Sequence, residues 1–469
     1  MKKLLLPCLI GLLSACTTVG PDYSRPDVSL PSSFPSAPTT EEKAISTDWW
    51  KLYRDAQLEE LIAAGQKSNA DLRLAAARVL EAEALAREAG AAFLPEVTGG
   101  YSATRSRVST QTLPPGARPL QRSQHQLLAS TTFELDFWGR FTRASEAARA
   151  NLLSLSFNRD VVSLSLSGAI AQAYFALRSL DAQAAVLDAT IRARQDSLEI
   201  ARARLQAGLS SELDVFQAQG ALSDALVQKR EAQRQRSLVE RQLAQLTGRL
   251  DLKLPEGKPG GDLFALPIPP VPPAGLPSAL LERRPDVRAS EQALVAANAQ
   301  IGVARAAMFP TLSLTGALGA QSAEFSDLLS SGAGIWSLGF GLALPLFDAG
   351  RREARVDQAD ARREQAVAGY QRSVETAFRE VSDALASVEQ TGGSEAELQA
   401  RLQAARNALA LSTARYESGY SPFLEVLDAQ RTANEAELAF VRNRQARLAF
   451  SVDLMKALGG GWAAKGVEK

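Results

Sequence analysis

Few residues in this 469-residue chain could do chemistry. Histidine occurs once, as His125, and a single imidazole cannot build a zinc cluster or a histidine-based triad by itself. It reads as a polar residue beside a strand. Neither a P-loop nor a Rossmann-type GxGxxG is present. Basic and acidic residues balance, 52 against 52, and no basic patch argues for nucleic acid. Two places remain. One is the thiol of Cys16, which closes a short apolar run. The other is a charged pair, Asp428 and Arg431, three residues apart on a helical stretch that follows a Gly turn, with Tyr416 and Leu424 just before it. No convergent catalytic set exists, so we expect no enzyme, no metal site and no cofactor.

The surroundings of Cys16 give it a role. Lys2 and Lys3 supply a basic start, and Leu4 to Leu13 an apolar core too short for a membrane helix, which takes roughly 20 apolar residues. Residues 1–15 therefore read as a secretory signal. The run Leu13-Ser14-Ala15-Cys16 resembles the lipobox of bacterial lipoproteins, in which cleavage leaves the cysteine as the acylated N-terminus. The expected modification is a covalent lipid on Cys16. Thr17 rather than Asp follows it, which by analogy with such lipoproteins favours the outer membrane. Cys8 leaves with the signal, so the mature chain has no second cysteine for a disulfide. Loss of Lys2 and Lys3 leaves 50 basic against 52 acidic residues, a net charge of −2.

The charged pair follows a stretch that the chain uses twice. The first copy runs from Gly139-Arg140 to Gly208, the second from Gly350-Arg351 to Gly419. In the first copy Ile170, Ala173, Leu177, Leu180, Ala184, Leu187, Ile191, Leu198, Ala201 and Leu205 recur in steps of three and four, with one slot lost to Arg194. This is a heptad seam, the mark of a helix that packs along other helices. The 68 residues from Arg140 to Ala207 would make roughly 100 Å of helix at about 1.5 Å per residue. The duplication extends further. Asp71-Leu72-Arg73 through Phe93-Leu94-Pro95 matches Asp286-Val287-Arg288 through Met308-Phe309-Pro310, and Ala203 to Gly208 matches Ala414 to Gly419. The plan is a lipidated extended segment over 16–47, a first repeat over 48–248 and a Pro/Gly-rich connection over 249–279. A second repeat over 280–462 and a tail over 463–469 complete it. The first repeat holds a helix, a hairpin over 96–137, a long helix over 140–207 and a helix over 212–247. The second holds a helix, a hairpin over 311–345, a long helix over 351–417 and a helix over 422–458. The two shorter helices of a repeat together match its long one in length. Segments around 48–70 and 249–285 would form a belt near their junction.

Between the helices the period changes to two. Val97, Gly99, Tyr101 and Ala103 alternate with Thr98, Gly100, Ser102 and Thr104. Leu127, Ala129, Thr131, Phe133, Leu135 and Phe137 alternate with Gln126, Ser130, Thr132, Glu134 and Asp136, with Leu128 out of pattern. The second hairpin sets Leu312, Leu314 and Leu318 against Thr311, Ser313 and Thr315, and Trp336, Leu338, Phe340 and Leu342 against Ser337, Gly339, Gly341 and Ala343. Strands of roughly 9–11 residues with one apolar face suit tilted membrane crossings. Four strands cannot close a barrel, and open edges are not tolerated in lipid. Several chains must share one; three would give 12 strands, whose polar faces line a wet lumen.

Taken together and in order, these features carry a resemblance. They are Leu13-Ser14-Ala15-Cys16, Val19-Gly20-Pro21-Asp22-Tyr23, Trp49-Trp50, Glu134-Leu135-Asp136-Phe137-Trp138-Gly139-Arg140, Glu282-Arg283-Arg284-Pro285-Asp286, Phe347-Asp348-Ala349-Gly350-Arg351, Leu427-Asp428-Ala429-Gln430-Arg431 and Leu458-Gly459-Gly460-Gly461-Trp462. Over nearly all of residues 16–462 the chain resembles the TolC-like outer membrane factor family, in particular its lipoprotein branch. The resemblance implies an α+β membrane protein, a trimeric channel-tunnel with a 12-stranded transmembrane β-barrel, four strands per chain, continued by a long α-helical barrel in the periplasm. It implies a homotrimer in outer-membrane lipid, a periplasmic adaptor and an inner-membrane pump as partners, and passive export of drugs or other small toxic compounds. In the family a Tyr, an Asp and an Arg at this spacing hold the far aperture closed. They fall on Tyr416, Asp428 and Arg431, with Leu424 at a narrowing position: a periplasmic gate. The first repeat has Gln217 and Gly220 in place of the charged pair. Alternatives are a non-pore structural envelope lipoprotein, or the duct of a metal-ion efflux or protein secretion system. The alternating polar strand face opposes the first. One departure stands out: Thr391-Gly392-Gly393 lies within the second long helix, where two Gly cost roughly 2 kcal/mol relative to Ala, and a kink or break is expected there.

Overall fold

The period-two stretches form four strands: β1 (Glu96–Arg107), β2 (Gln121–Leu135), β3 (Thr311–Ser322) and β4 (Gly334–Ala343). The heptad stretches form helices: α1 (Ala56–Ser68), α2 (Ala70–Ala91), α3 (Arg140–Gln206), α4 (Glu212–Thr247), α5 (Pro285–Ala306), α6 (Arg351–Glu417) and α7 (Phe423–Ala457), with short helical turns at Trp49–Tyr53, Asp262–Ala265, Pro277–Ala279, Leu280–Arg283 and Phe325–Asp327. The computed structural model describes residues 18–34, 46–109, 111, 121–257, 262–272 and 277–461. Cys16 and the Pro114-Pro115-Gly116 loop lie outside the described residues. The chain divides into two compact units.

The first unit comprises residues 1–26, 79–155 and 290–370. Its sheet has the order β1-β2-β3-β4, each pair antiparallel. The β2–β3 pair joins the two repeats, and so do side chains at its base. Trp138 stacks on Phe309 with centroids 4.7 Å apart and donates its Nε1–H to the Pro310 carbonyl at 2.7 Å. The passage from β2 into α3 is built by two acids. Asp136 accepts from the amides of Phe141 (2.9 Å) and Thr142 (2.8 Å), two of the amides a helix start leaves unpaired. Glu134 holds Arg140 through two bonds at 3.0 and 2.6 Å. The N-terminal segment runs along this unit without regular structure. The amide of Val19 donates to Trp138 O, Asp22 pairs with Arg143 at 2.6 Å, and Tyr23 and Arg25 both donate to Glu291.

The second unit comprises residues 27–78, 156–289 and 371–469. Here the seam of α3 is buried at Ile170, Ala173, Leu177, Leu180, Leu187, Ile191, Leu198 and Ala201; Ala184 and Leu205 are half-buried. The core around it takes Trp49, Tyr53, Leu58, Leu61 and Ile62 from the start of the repeat, and Leu243, Leu448 and Val452 from α4 and α7. Arg194 occupies its seam slot buried, with its guanidinium donating to the Ala221 carbonyl and reaching Asp224 at 3.4 Å. These bonds replace part of what burial takes from the guanidinium, whose Nε has no partner among the described residues. Both tip turns place a glycine in the left-handed region, Gly208 at φ +69° and Gly419 at φ +80°, where a side chain would be strained.

The expected break at Gly392-Gly393 is absent: α6 is helical from Arg351 to Glu417. Its neighbours hold it. Asn443 of α7 donates to the Thr391 carbonyl at 3.4 Å, and Arg444 and Arg447 both pair with Glu395 one turn on. The propensity cost of the two glycines is about 2 kcal/mol, small enough for such packing to offset.

Candidate functional site

Cross-strand register tests whether the separate alternations add to one surface, because directly paired residues share a face. Thr98 pairs with Ser130, Glu96 with Thr132, and Thr132 with Thr315; Glu134 pairs with Ser313, Ser102 with Gln126, and Thr311 with Ala343. Thr98, Ser102, Ser130, Thr132, Glu134, Thr311, Ser313 and Thr315 thus share one face of the sheet. Thr98 and Ser130 hydroxyls also bond at 3.1 Å. Asp136 is not among them: it lies beyond the end of β2, and its carboxylate is spent on the start of α3. The other face carries Val97, Tyr101, Leu127, Phe133, Leu135, Leu312, Leu314, Leu318, Trp336, Leu338, Phe340 and Leu342. Trp336 and Leu338 are 78% and 79% exposed, so nothing among the described residues covers that part of the face. Among the described residues the outer edges of β1 and β4 have no strand partner. An apolar face and a polar face on one sheet suit the wall of a pore in lipid once the edges are joined.

At the second tip, Asp428 and Arg431 form an exposed ion pair at 2.8 Å, one helical turn apart on α7. The guanidinium keeps further donors free for another acceptor. Leu424 stands 59% exposed a turn before them. Tyr416 is not brought to this pair. Its ring is buried against Phe423, with centroids 5.3 Å apart, among Ile191, Leu198, Ala218 and Leu222, and Arg204 lies over it at 4.8 Å. The enclosed hydroxyl has no hydrogen-bond partner among the described residues. Burial, with Asp214 nearby, pushes that hydroxyl above its usual range. In this conformation Tyr416 packs the tip.

One cluster escaped sequence reasoning. Asp181 of α3, its carboxylate enclosed, accepts from Arg178 (2.9 Å), from Arg236 of α4 (2.6 Å) and from the Gly257 amide (3.0 Å). Arg178 also donates to Gln57 and to the Pro255 carbonyl, and Arg236 to the Leu254 carbonyl at 2.9 Å. The network pins the connection after α4 onto two helices. The only hint in the sequence is a run of charges on a buried face, because the partners lie as far as 121 positions apart.

The sequence matches the outer membrane efflux protein family over residues 61–249 and again over 276–460, once per repeat. The chain belongs to that family. It is 35% identical, over 96% of its length and 95% of the relative's, to the toluene efflux pump outer membrane protein TtgF of Pseudomonas putida. It is 36% identical to the outer membrane protein OprJ of Pseudomonas aeruginosa, covering 97% of this chain and 95% of OprJ. Its fold is similar to that of the MtrE outer membrane channel of Neisseria gonorrhoeae in its open state, with TM-score 0.86 and 30% identity over 95% of this chain and 99% of MtrE. This efflux protein has the α+β channel-tunnel fold of the family. It is an outer-membrane channel of an efflux system, with strands crossing the outer membrane and helices in the periplasm, in a family of ducts rather than of enzymes.

Proposed function

We propose that three copies of this efflux protein form one passive duct, docked through a periplasmic adaptor to an inner-membrane pump, that exports drugs or other small toxic compounds. The observation that carries the reading is the four-stranded sheet with one polar face, one apolar face and two edges that have no strand partner among the described residues. Such a sheet is stable in lipid only when copies of it close into a barrel, and three give a 12-stranded one. The toluene efflux relative supports small apolar toxicants as cargo. Cys16, acylated, would tether the start of the chain to the same membrane. The tests are mass measurement in mild detergent and conductance of the purified protein in a bilayer. Three copies and an ion-conducting pore are expected; a folded, pore-forming monomer would refute the strand count.

We further propose that the Asp428–Arg431 pairs, with Leu424 beside them, hold the periplasmic end closed at rest, and that Tyr416 stiffens the tip from within. A wide barrel without a closure would leak, and an adaptor can open the tip by binding the open form better. Exposed pairs are screened by salt, so the open fraction should rise with ionic strength. Asp428→Ala with Arg431→Ala should give larger single-channel conductance than the parent, with a weaker response to salt. Unchanged conductance from an intact trimer would leave the pair as ordinary surface charge.

A further inference from the structure

The apolar face of the sheet changes character at one end. Along β1 its positions read Val97, Gly99, Tyr101, Ala103, Arg105 and Arg107; opposite them on β2 stand Thr131, Ala129, Leu127, His125, Ser123 and Gln121. The end is identified by the connections. β1 follows α2 and β2 leads into α3, so Arg107 and Gln121 lie away from the periplasmic helices, at the outer surface of the membrane. From Leu135 to Leu127 on β2 the apolar rows span eight residue steps, roughly 27 Å along the strand at about 3.4 Å each and about 20 Å of depth at a barrel strand's tilt of about 40°, most of the ~25 Å band of barrel proteins. Next comes an aromatic layer. Tyr101 bonds His125 Nδ1 at 2.8 Å, and Phe325 stands edge-on to both rings, 6.1 and 6.0 Å away. Beyond it come two exposed guanidinium groups. Arg105 reaches only Gln121, at 3.4 Å, and neither Arg105 nor Arg107 has an acidic partner among the described residues. Arg105 lies four residues past Tyr101, about 13 Å further along the strand, at head-group depth.

Two unpaired cations just outside an aromatic girdle, on a face that must meet lipid, call for anions held by lipid. We propose that Arg105 and Arg107 bind the phosphate groups of the phosphorylated glycolipid of the outer leaflet, with Tyr101, His125 and Phe325 as the floor on which its sugar backbone rests. The proposal rests on the membrane orientation of the sheet argued above. Arginine suits the task because its planar fork meets phosphate oxygens in pairs. The polar face supplies an internal control: Arg122 pairs with Ser106 and belongs to the lumen side.

The test uses the full-length trimer in lipid nanodiscs containing bis-phosphorylated lipid A, with dephosphorylated lipid A in a parallel set, and counts bound glycolipid per trimer by native mass spectrometry. Arg105→Gln with Arg107→Gln should lower retention of the phosphorylated form about tenfold, the scale of losing a charge-assisted pair. Arg122→Gln should leave it unchanged, and wild-type retention should fall as salt rises. Retention by the double variant equal to wild type would overturn the proposal. So would equal loss in Arg122→Gln, or equal retention of the dephosphorylated form. Should the Gln variant fail to assemble, Arg105→Lys with Arg107→Lys keeps the charge and must retain the salt-sensitive binding, or the proposal fails. Conductance of each variant separates this outcome from failure of the channel reading, since the pore should stay intact throughout.

Discussion

Replacing Asp181 by alanine should loosen the connection that follows α4. The carboxylate is 6% exposed and is shared by Arg178, itself 4% exposed, Arg236 and the Gly257 amide. Removing one partner of a buried pair typically costs about 3–5 kcal/mol, because the other charge is left enclosed and unpaired. The lower end applies here. Arg178 keeps the Tyr174 hydroxyl (3.2 Å) and the Pro255 carbonyl (3.2 Å), and Arg236 keeps the Leu254 carbonyl. We expect a loss of about 3 kcal/mol, concentrated where Gly257 is released. Two assays follow. Thermal unfolding of the purified trimer should shift down by several degrees, about 2–4 °C per kcal/mol at 150–250 residues and less for a longer chain. Limited trypsin digestion should cut faster after Arg249 and Lys253, on either side of the Leu252 turn. Asp181→Asn, which keeps acceptor oxygen without the charge, should fall between. An alanine variant with unchanged melting and unchanged cleavage would show that the network only decorates a connection held by Leu252 and Leu254.

Two further outcomes follow from the sequence and the helices. Cys16→Ser should abolish incorporation of labelled fatty acid, and continued labelling of that variant would remove the lipidation argument. Gly392→Ala with Gly393→Ala should stabilise α6 by up to about 2 kcal/mol, since a Cβ at either position meets nothing within 4 Å of its own chain. Higher thermal stability of the trimer is the expected result; loss of the trimer would instead show that a neighbouring copy approaches those glycines.

The tertiary register explains why strand reasoning reached a wall while Asp136 misled it. Alternation assigns faces by parity, and parity survives pairing, so Thr98, Ser130, Thr132 and Thr315 fall together although they come from three strands. Parity holds only while the chain stays extended. β2 ends at Leu135, and one residue later the carboxylate of Asp136 turns to the unpaired amides of α3, a competition that alternation does not register. Tyr416 differs for another reason. Its spacing from Asp428 and Arg431 is a property of the motif, but where its ring goes is decided by the cavity that Phe423, Leu198 and Leu222 leave open.

By itself, the sequence determined the elements and their duplication, because hydrophobic period and chain punctuation are local physics: steps of three and four for α3, steps of two for the strands, and Gly208 and Gly419 at the turns. It also determined that one chain cannot close its barrel, which is a matter of counting strands. Only the tertiary structure decided what fills the exceptions. Arg194 could sit in an apolar seam because the Ala221 carbonyl and Asp224 come to it, and α6 could run through Gly392-Gly393 because Asn443, Arg444 and Arg447 hold it. Asp181 became the centre of a polar network because Arg236 and Gly257, 55 and 76 positions away, meet it inside the fold. Such partners are invisible to any local period: a buried charge is stable only through what packs around it, and that is chosen when the chain closes on itself.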